Sequence, residues 1–218
     1  IIVMPAINFV ASYNVVKTFG AKVFLADVDK YTGQMSPTDV INCCKKYRLK
    51  KIKAILIMYH GGYPQNADKF FIFKKKYKCF IIEDACHALG AKYKYKNSII
   101  KIGSCKHSDI STFSLHPLKS ITSGEGGIVT TNSKVLDDKI KKFRSLGIKR
   151  NINKHWEYDV IHKGFNFRLT DFQCALGISQ LKRLDIFLKT RKIIANRYSK
   201  ELKKIPKIFI PNHQSRYE

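Results

Sequence analysis

Four short apolar runs, each separated from the next by a stretch of helical pattern, constrain this chain more than any other feature. Residues 1–3, 21–26, 54–58 and 79–82 are short, apolar and rich in β-branched or aromatic side chains, so they read as buried strands. Residues 9–19, 37–48 and 67–77 read as helices between them. Ser36 is placed as an N-cap, Pro37 at the first helical position and Asp39 in the first turn. Basic residues gather where that helix ends, as its dipole favours. Such alternation predicts an α/β fold: a mixed, mostly parallel sheet covered by helices, with right-handed crossovers. After Gly90 the pattern changes. Residues 110–115 and 127–131 read as strands joined by a tight, glycine-containing turn, 133–146 as a helix, and 147–165 as irregular and aromatic. Thr170 and Gln173 are spaced as a capping box opening a helix that runs to about residue 183, with another over about 185–203. The drift to helical character divides the chain into a large α/β domain over 1–168 and the helical start of a smaller domain over 169–218.

The 218 residues can enclose a sizeable core, and 44% hydrophobic with 12% aromatic content excludes a disordered tail. The chain opens on Ile1 inside an apolar run, and Asn212 to Glu218 stop in mid-segment, so we read it as a fragment lacking N-terminal and C-terminal parts of a longer protein. No signal peptide and no membrane-length apolar run are visible. Cys43, Cys44, Cys79, Cys86, Cys105 and Cys174 form no C-x-x-C pair and give no support to a zinc site. Cys79 and Cys174 fall in apolar patterns and read as small core residues, which fits a reduced, cytoplasmic setting. A net charge of +25 raises the question of nucleic acid. The lysines are scattered over helices and loops, however, and form no stripe, so no nucleic-acid partner is expected. The field could still collect an anion such as a nucleotide diphosphate.

Two residues carry the chemistry. Asp84 follows an apolar strand at the edge where open α/β sheets bind ligands. A carboxylate there can bind a ribose, a metal or a cationic ring; it can equally cap a helix or sit solvated in a loop. Lys119 stands between a strand ending in Ser114 and a Gly124-Glu125-Gly126-Gly127 turn. Most lysines of so basic a chain are surface residues, yet this turn lets backbone approach a ligand closely. A lysine amine forms a Schiff base only when partly deprotonated, which needs desolvation or a cationic neighbour.

In order along the chain come Pro5-Ala6-Ile7-Asn8-Phe9-Val10-Ala11-Ser12, then Glu83-Asp84-Ala85-Cys86-His87-Ala88-Leu89-Gly90, then Ser111-Thr112-Phe113-Ser114 through Gly127, and finally Gly164-Phe165-Asn166-Phe167-Arg168-Leu169-Thr170-Asp171-Phe172-Gln173. Together these segments resemble the DegT/DnrJ/StrS sugar aminotransferases, of the pyridoxal-phosphate-dependent transferase fold type I. The resemblance covers nearly the whole chain. It implies that Lys119 holds pyridoxal phosphate covalently and that Asp84 pairs with the pyridine nitrogen. It also implies that His87 and Phe9 flank the ring and that Ser114 bonds the phosphate. Asn166 would reach the cofactor of a neighbouring subunit, hence a homodimer. Arg168 would meet the sugar nucleotide or brace its loop, His116 is a further substrate candidate, and Glu125 reads as a turn-stabilising acid. The implied reaction moves an amino group from glutamate to the C4 ketone of a nucleotide-linked 4-keto-6-deoxy sugar, with a UDP-sugar expected. C3 and perosamine-type enzymes, or a non-catalytic relative, are the alternatives. Lys119 argues against the family's sugar dehydratases, which carry His in its place. The family's phosphate loop, upstream of the first strand here, and most of its C-terminal domain are missing from the chain. Two further departures are Asn8, where Thr or Ser is usual, and the order Tyr59-His60, reversed from the usual His-then-aromatic.

Overall fold

A computed structural model of the chain describes residues 1–154 and 156–211. Its first half runs β1 (Ile2–Pro5), α1 (Val10–Thr18), β2 (Val23–Ala26), α2 (Pro37–Lys46), β3 (Ala54–Met58), a short 3-10 turn (His60–Gly62), α3 (Phe71–Tyr77) and β4 (Phe80–Asp84). The second half runs β5 (Lys92–Tyr95), β6 (Ser98–Lys101), β7 (Ile110–Ser114), β8 (Gly127–Thr130), α4 (Lys134–Arg144), β9 (Ile148–Arg150), β10 (Tyr158–Val160), α5 (Asp171–Leu181) and α6 (Leu184–Leu202). Six strands form one sheet in the order β2-β1-β3-β4-β7-β8. All neighbours are parallel except β8, which runs antiparallel to β7. The expected α/β class and mostly parallel sheet are therefore present.

Burial explains the order. Every residue of β3 is buried, as a central strand covered on both faces requires. Tyr59, Phe70 and Phe73 pack with Val40, Cys43 and Cys44 of α2 into the main core. Helix α2 starts where Ser36 caps it: the Asp39 amide donates to Ser36 Oγ at 3.4 Å, and the Ser36 amide donates to Asp39 Oδ2 at 2.8 Å. Such a box stabilises a helix by roughly 1 kcal/mol. The same reciprocal pair, Thr170 with Gln173, opens α5.

Several expectations need correction. Residues 67–70 form turns, with the helix beginning only at Phe71. Asn66 just before them takes a positive φ of 61°, which breaks the helical path. Residues 92–101 hold an antiparallel hairpin, β5 with β6, that lysine-rich composition hid. Tyr93 is buried between exposed or half-buried lysines, so the period-2 signal was present. The region 147–165 is not wholly irregular: β9 and β10 pair antiparallel within it. The link between β7 and β8 is no tight turn but a loop over 115–126. Cys79 is buried as expected, but Cys174 is exposed, because among the described residues nothing covers its face of α5. Asn212 to Glu218, read above as stopping in mid-segment, lie outside the described residues. All six cysteines are free thiols. Among the described residues no helix is long and apolar enough to cross a membrane.

Candidate active site

Parallel strands deliver their carboxyl ends to one edge of the sheet; three of them here lead into segments that carry predicted residues, and a fourth, β3, leads into the turn that holds His60. After β1 comes the segment to Phe9 and Ser12; after β3, the His60–Gly62 turn; after β4, Asp84 to His87; after β7, Ser114 to Lys119. The chain reverses side between β2-β1 and β3-β4, the kind of switch at which such sheets open a crevice.

Asp84 is the last residue of β4 and is buried. Its Oδ1 accepts the Cys86 amide at 3.1 Å and its Oδ2 accepts the Ser12 hydroxyl at 3.2 Å. These two bonds fix the carboxylate plane and leave further lone pairs to meet a ligand. Lys119 lies half-buried in the 115–126 loop. Main-chain bonds close that loop: Leu115 N to Gly126 O at 2.9 Å, Ser123 N to Leu115 O at 3.0 Å and Lys119 N to His116 O at 2.9 Å. Arg191 of α6 adds a bond to the Lys119 carbonyl at 3.1 Å.

Cys86 and His87 both feel the charges of Lys119 and Asp84. The Cys86 thiol is pushed up to about 12, first by burial and then by its bond to Asp84 and that residue's charge, while Lys119 opposes the rise. The His87 imidazole is held below its ordinary 6.5 by burial of its packed side, by Lys119 and by His60, while Asp84 pulls the other way. Asp84 and Thr112 are register partners on the paired strands β4 and β7, so the loop that carries Lys119 leaves the sheet on the strand beside Asp84. His87 Nδ1 accepts the Gly61 amide at 3.3 Å, so the neutral ring carries its proton on Nε2, and its outer side is open to solvent.

Asp84, His87, Ser114 and Lys119 all lie at or just beyond the carboxyl ends of the paired strands β4 and β7. Ser114 Oγ accepts the His116 amide at 3.2 Å. His116 is half-buried on the same loop, with Nε2 at 3.9 Å from Glu125 Oε1, which fits Glu125 as a turn-stabilising acid. Phe9 stands at the N-cap of α1 and is 67% exposed, so among the described residues most of its ring is uncovered. Asn166 and Arg168 bond each other at 2.8 Å on the exposed segment leading to α5. Among the described residues they make no hydrogen bond or ion pair with the Asp84 group. Sequence reasoning missed Ser12 and His60. Ser12 sits three residues past Phe9, where the first turn of α1 faces the strand ends; His60 lies with its ring centroid 6.0 Å from that of His87.

The donor set fits pyridoxal phosphate. It supplies a buried carboxylate for a protonated ring nitrogen, an amine for an aldehyde, a ring face and a hydroxyl at a strand end. Asn8, on the segment after β1, also keeps a buried Oδ1 that has no hydrogen-bond partner among the described residues.

The chain matches the DegT/DnrJ/EryC1/StrS aminotransferase family over residues 1–218. It is 40% identical over 206 residues to the UDP-4-amino-4,6-dideoxy-N-acetyl-beta-L-altrosamine transaminase of Campylobacter jejuni, covering 94% of this chain and 52% of that protein. It is 34% identical to the GDP-perosamine synthase of Escherichia coli O157:H7, with 95% and 53% covered. Among solved structures, Helicobacter pylori PseC, an aminotransferase involved in the biosynthesis of pseudoaminic acid, aligns with a TM-score of 0.83 at 32% identity, over 94% of this chain and 52% of PseC. The chain therefore spans about half the length of the relatives it matches. By sequence match and by fold, this chain belongs to the DegT/DnrJ/EryC1/StrS aminotransferase family.

Proposed function

We propose that the full-length protein is a pyridoxal-phosphate-dependent aminotransferase that moves an amino group from glutamate to the C4 ketone of a nucleotide-linked 4-keto-6-deoxy sugar. The observation that carries this reading is buried Asp84 at the carboxyl end of β4, fixed by Ser12 and the Cys86 amide, with the Lys119 loop leaving the adjoining parallel strand β7. The cofactor supplies, when bound, an aldehyde for the amine and a protonated ring that accepts an electron pair. Asp84 would hold that ring nitrogen protonated, and Ser12 and the Cys86 amide fix the Asp84 carboxylate. The Lys119 amine would be the group that carries a proton to and from the donor's α-carbon. His87 would meet one face of the ring, and its lowered pKa favours the neutral imidazole, which would not repel a cationic ring. Ser114 donates to the phosphate.

The relatives named as an altrosamine transaminase and a perosamine synthase support a C4 amine on a nucleotide sugar, and the former favours UDP. Asn166, exposed and tied to Arg168, is free to serve a partner subunit's site, and we place the working form as a cytoplasmic homodimer. The test uses the full-length protein: incubate it with pyridoxal phosphate, reduce with borohydride and map the modified lysine by mass spectrometry. Modification at Lys119 is expected; modification elsewhere would sink the assignment. Lys119→Ala is expected to lose transfer by roughly 10⁴-fold or more, and a variant that still transfers would refute the mechanism. Product analysis with UDP- and GDP-linked keto sugars separates the altrosamine-type from the perosamine-type reading.

A further inference from the structure

The reversed pair Tyr59-His60 has a structural outcome: the two side chains part at the end of β3. His60 turns to the site beside His87, while Tyr59 is wholly buried. The Tyr59 amide donates to the Asp84 carbonyl at 3.2 Å, and its hydroxyl donates to Glu83 Oε1 at 2.7 Å. Adjacent strand residues face opposite sides, so Glu83 lies under the sheet while Asp84 faces the pocket. The other Glu83 oxygen accepts the Ser111 hydroxyl. Burial and the charge of Glu83 hold the Tyr59 phenol well above its ordinary 10, which keeps it a donor.

Tyr59 also begins the His60–Gly62 turn: its carbonyl accepts the Gly62 amide at 2.9 Å. The next amide in that turn, Gly61, donates to His87 Nδ1, and Gln34 Nε2 grips the His60 carbonyl at 2.7 Å. An unbroken series of bonds thus runs from a buried carboxylate, through the Tyr59 backbone, to the imidazole at the pocket.

We propose that Tyr59 is a positioning residue for the cofactor site: its hydroxyl, anchored on Glu83 beneath the sheet, holds the His60–Gly62 turn against His87 and so sets the tautomer and plane of that ring. The proposal rests on the reading of this pocket as a pyridoxal phosphate site. Tyr59 touches neither the substrate nor the reacting atoms; it acts through His87.

A double-mutant cycle in the full-length protein tests it. Pyridoxal phosphate affinity is measured by absorbance titration for wild type, Tyr59→Phe, His87→Phe and the double variant; His87→Phe keeps a ring but removes the Nδ1 acceptor. Tyr59→Phe is expected to weaken binding roughly five- to tenfold with His87 present, the worth of about one hydrogen bond, and to add nothing in the His87→Phe background. Equal loss in both backgrounds, or no loss in either, overturns the proposal. Ser111→Ala strips the other hydroxyl from Glu83 and reports general destabilisation: it should lower the melting temperature and leave affinity unchanged, and an affinity loss matching that of Tyr59→Phe would count against a specific role. If Tyr59→Phe does not fold, Glu83→Gln replaces it in the cycle. The amide keeps an acceptor for Tyr59, so a two- to threefold loss seen only with His87 present supports the proposal, while an additive loss or none refutes it. A wild type that takes up no pyridoxal phosphate at Lys119 defeats the reading of the site itself; a wild type that binds it but gives an additive cycle defeats only the role of Tyr59.

Discussion

Gly61 and Gly62 are neighbours in one turn with similar backbones, φ 68° and 86°, yet alanine should affect them differently. A side chain at such an angle costs about 1–2 kcal/mol wherever it points. Apart from its chain neighbours, no atom of the described residues lies within 4 Å of a Cβ on Gly61, so Gly61→Ala should cost only that strain. A Cβ on Gly62 would lie 2.5 Å from the His87 carbonyl oxygen and 3.4 Å from its carbon. That is roughly 1 Å inside a comfortable contact, and the obstacle is backbone that cannot swing aside as a side-chain tip could. Relief requires the turn and the His87 segment to separate, at a further ~1–3 kcal/mol. Gly62→Ala should therefore lose about 2–5 kcal/mol in total. The displacement falls on the bond that orients His87, and misplacement by ~1 Å can cost an active site about 100-fold. Urea unfolding of the full-length protein gives the stability difference, and absorbance titration gives cofactor affinity. The reasoning is refuted if the two variants lose the same stability, or if Gly62→Ala binds pyridoxal phosphate as wild type does.

Acid should weaken the fold through two histidines. His87 and His107 are both held below 6.5, each first by burial. The unfolded chain therefore takes up protons before the folded one as pH falls through 6.5, and stability drops until the folded histidines also titrate. Melting temperatures at pH 7.5 and 5.5 should show the fall, and His107→Gln should make it shallower; an unchanged slope would remove His107 from the account. Cys86, pushed up to about 12 by burial and by Asp84, should resist iodoacetamide at pH 8. Asp84→Asn should speed its alkylation, as read by mass spectrometry, and rapid labelling of the wild-type thiol would contradict the placement of that carboxylate.

The sheet could be read from the sequence because its signals are local. Residues 54–58 are uniformly apolar, and the Ser36-Pro37-Asp39 and Thr170-Gln173 spacings announce helix starts that the structure contains. The β5–β6 hairpin escaped because Lys92 and Lys94 masked the alternation set by Tyr93 and Tyr95. Asp84 was legible from its place after a strand. Ser12 was not, because its role depends on how α1 docks over a strand end 72 residues away in sequence. The reversed Tyr59-His60 order looked like a mismatch with the family. It is resolved only by seeing Glu83 and Ser111 beneath the sheet, which no local pattern reveals.

The 115–126 segment divides its labour along its length. Its ends are clasped by the Leu115, Ser123 and Gly126 main chain, while Pro117 and Leu118 between them project to solvent. The path of the chain at Lys119 is set by these main-chain bonds together with the Thr122 and Ser123 hydroxyls and Arg191, none of which belongs to the crest, so Pro117 and Leu118 can change residue type without shifting the backbone that carries Lys119.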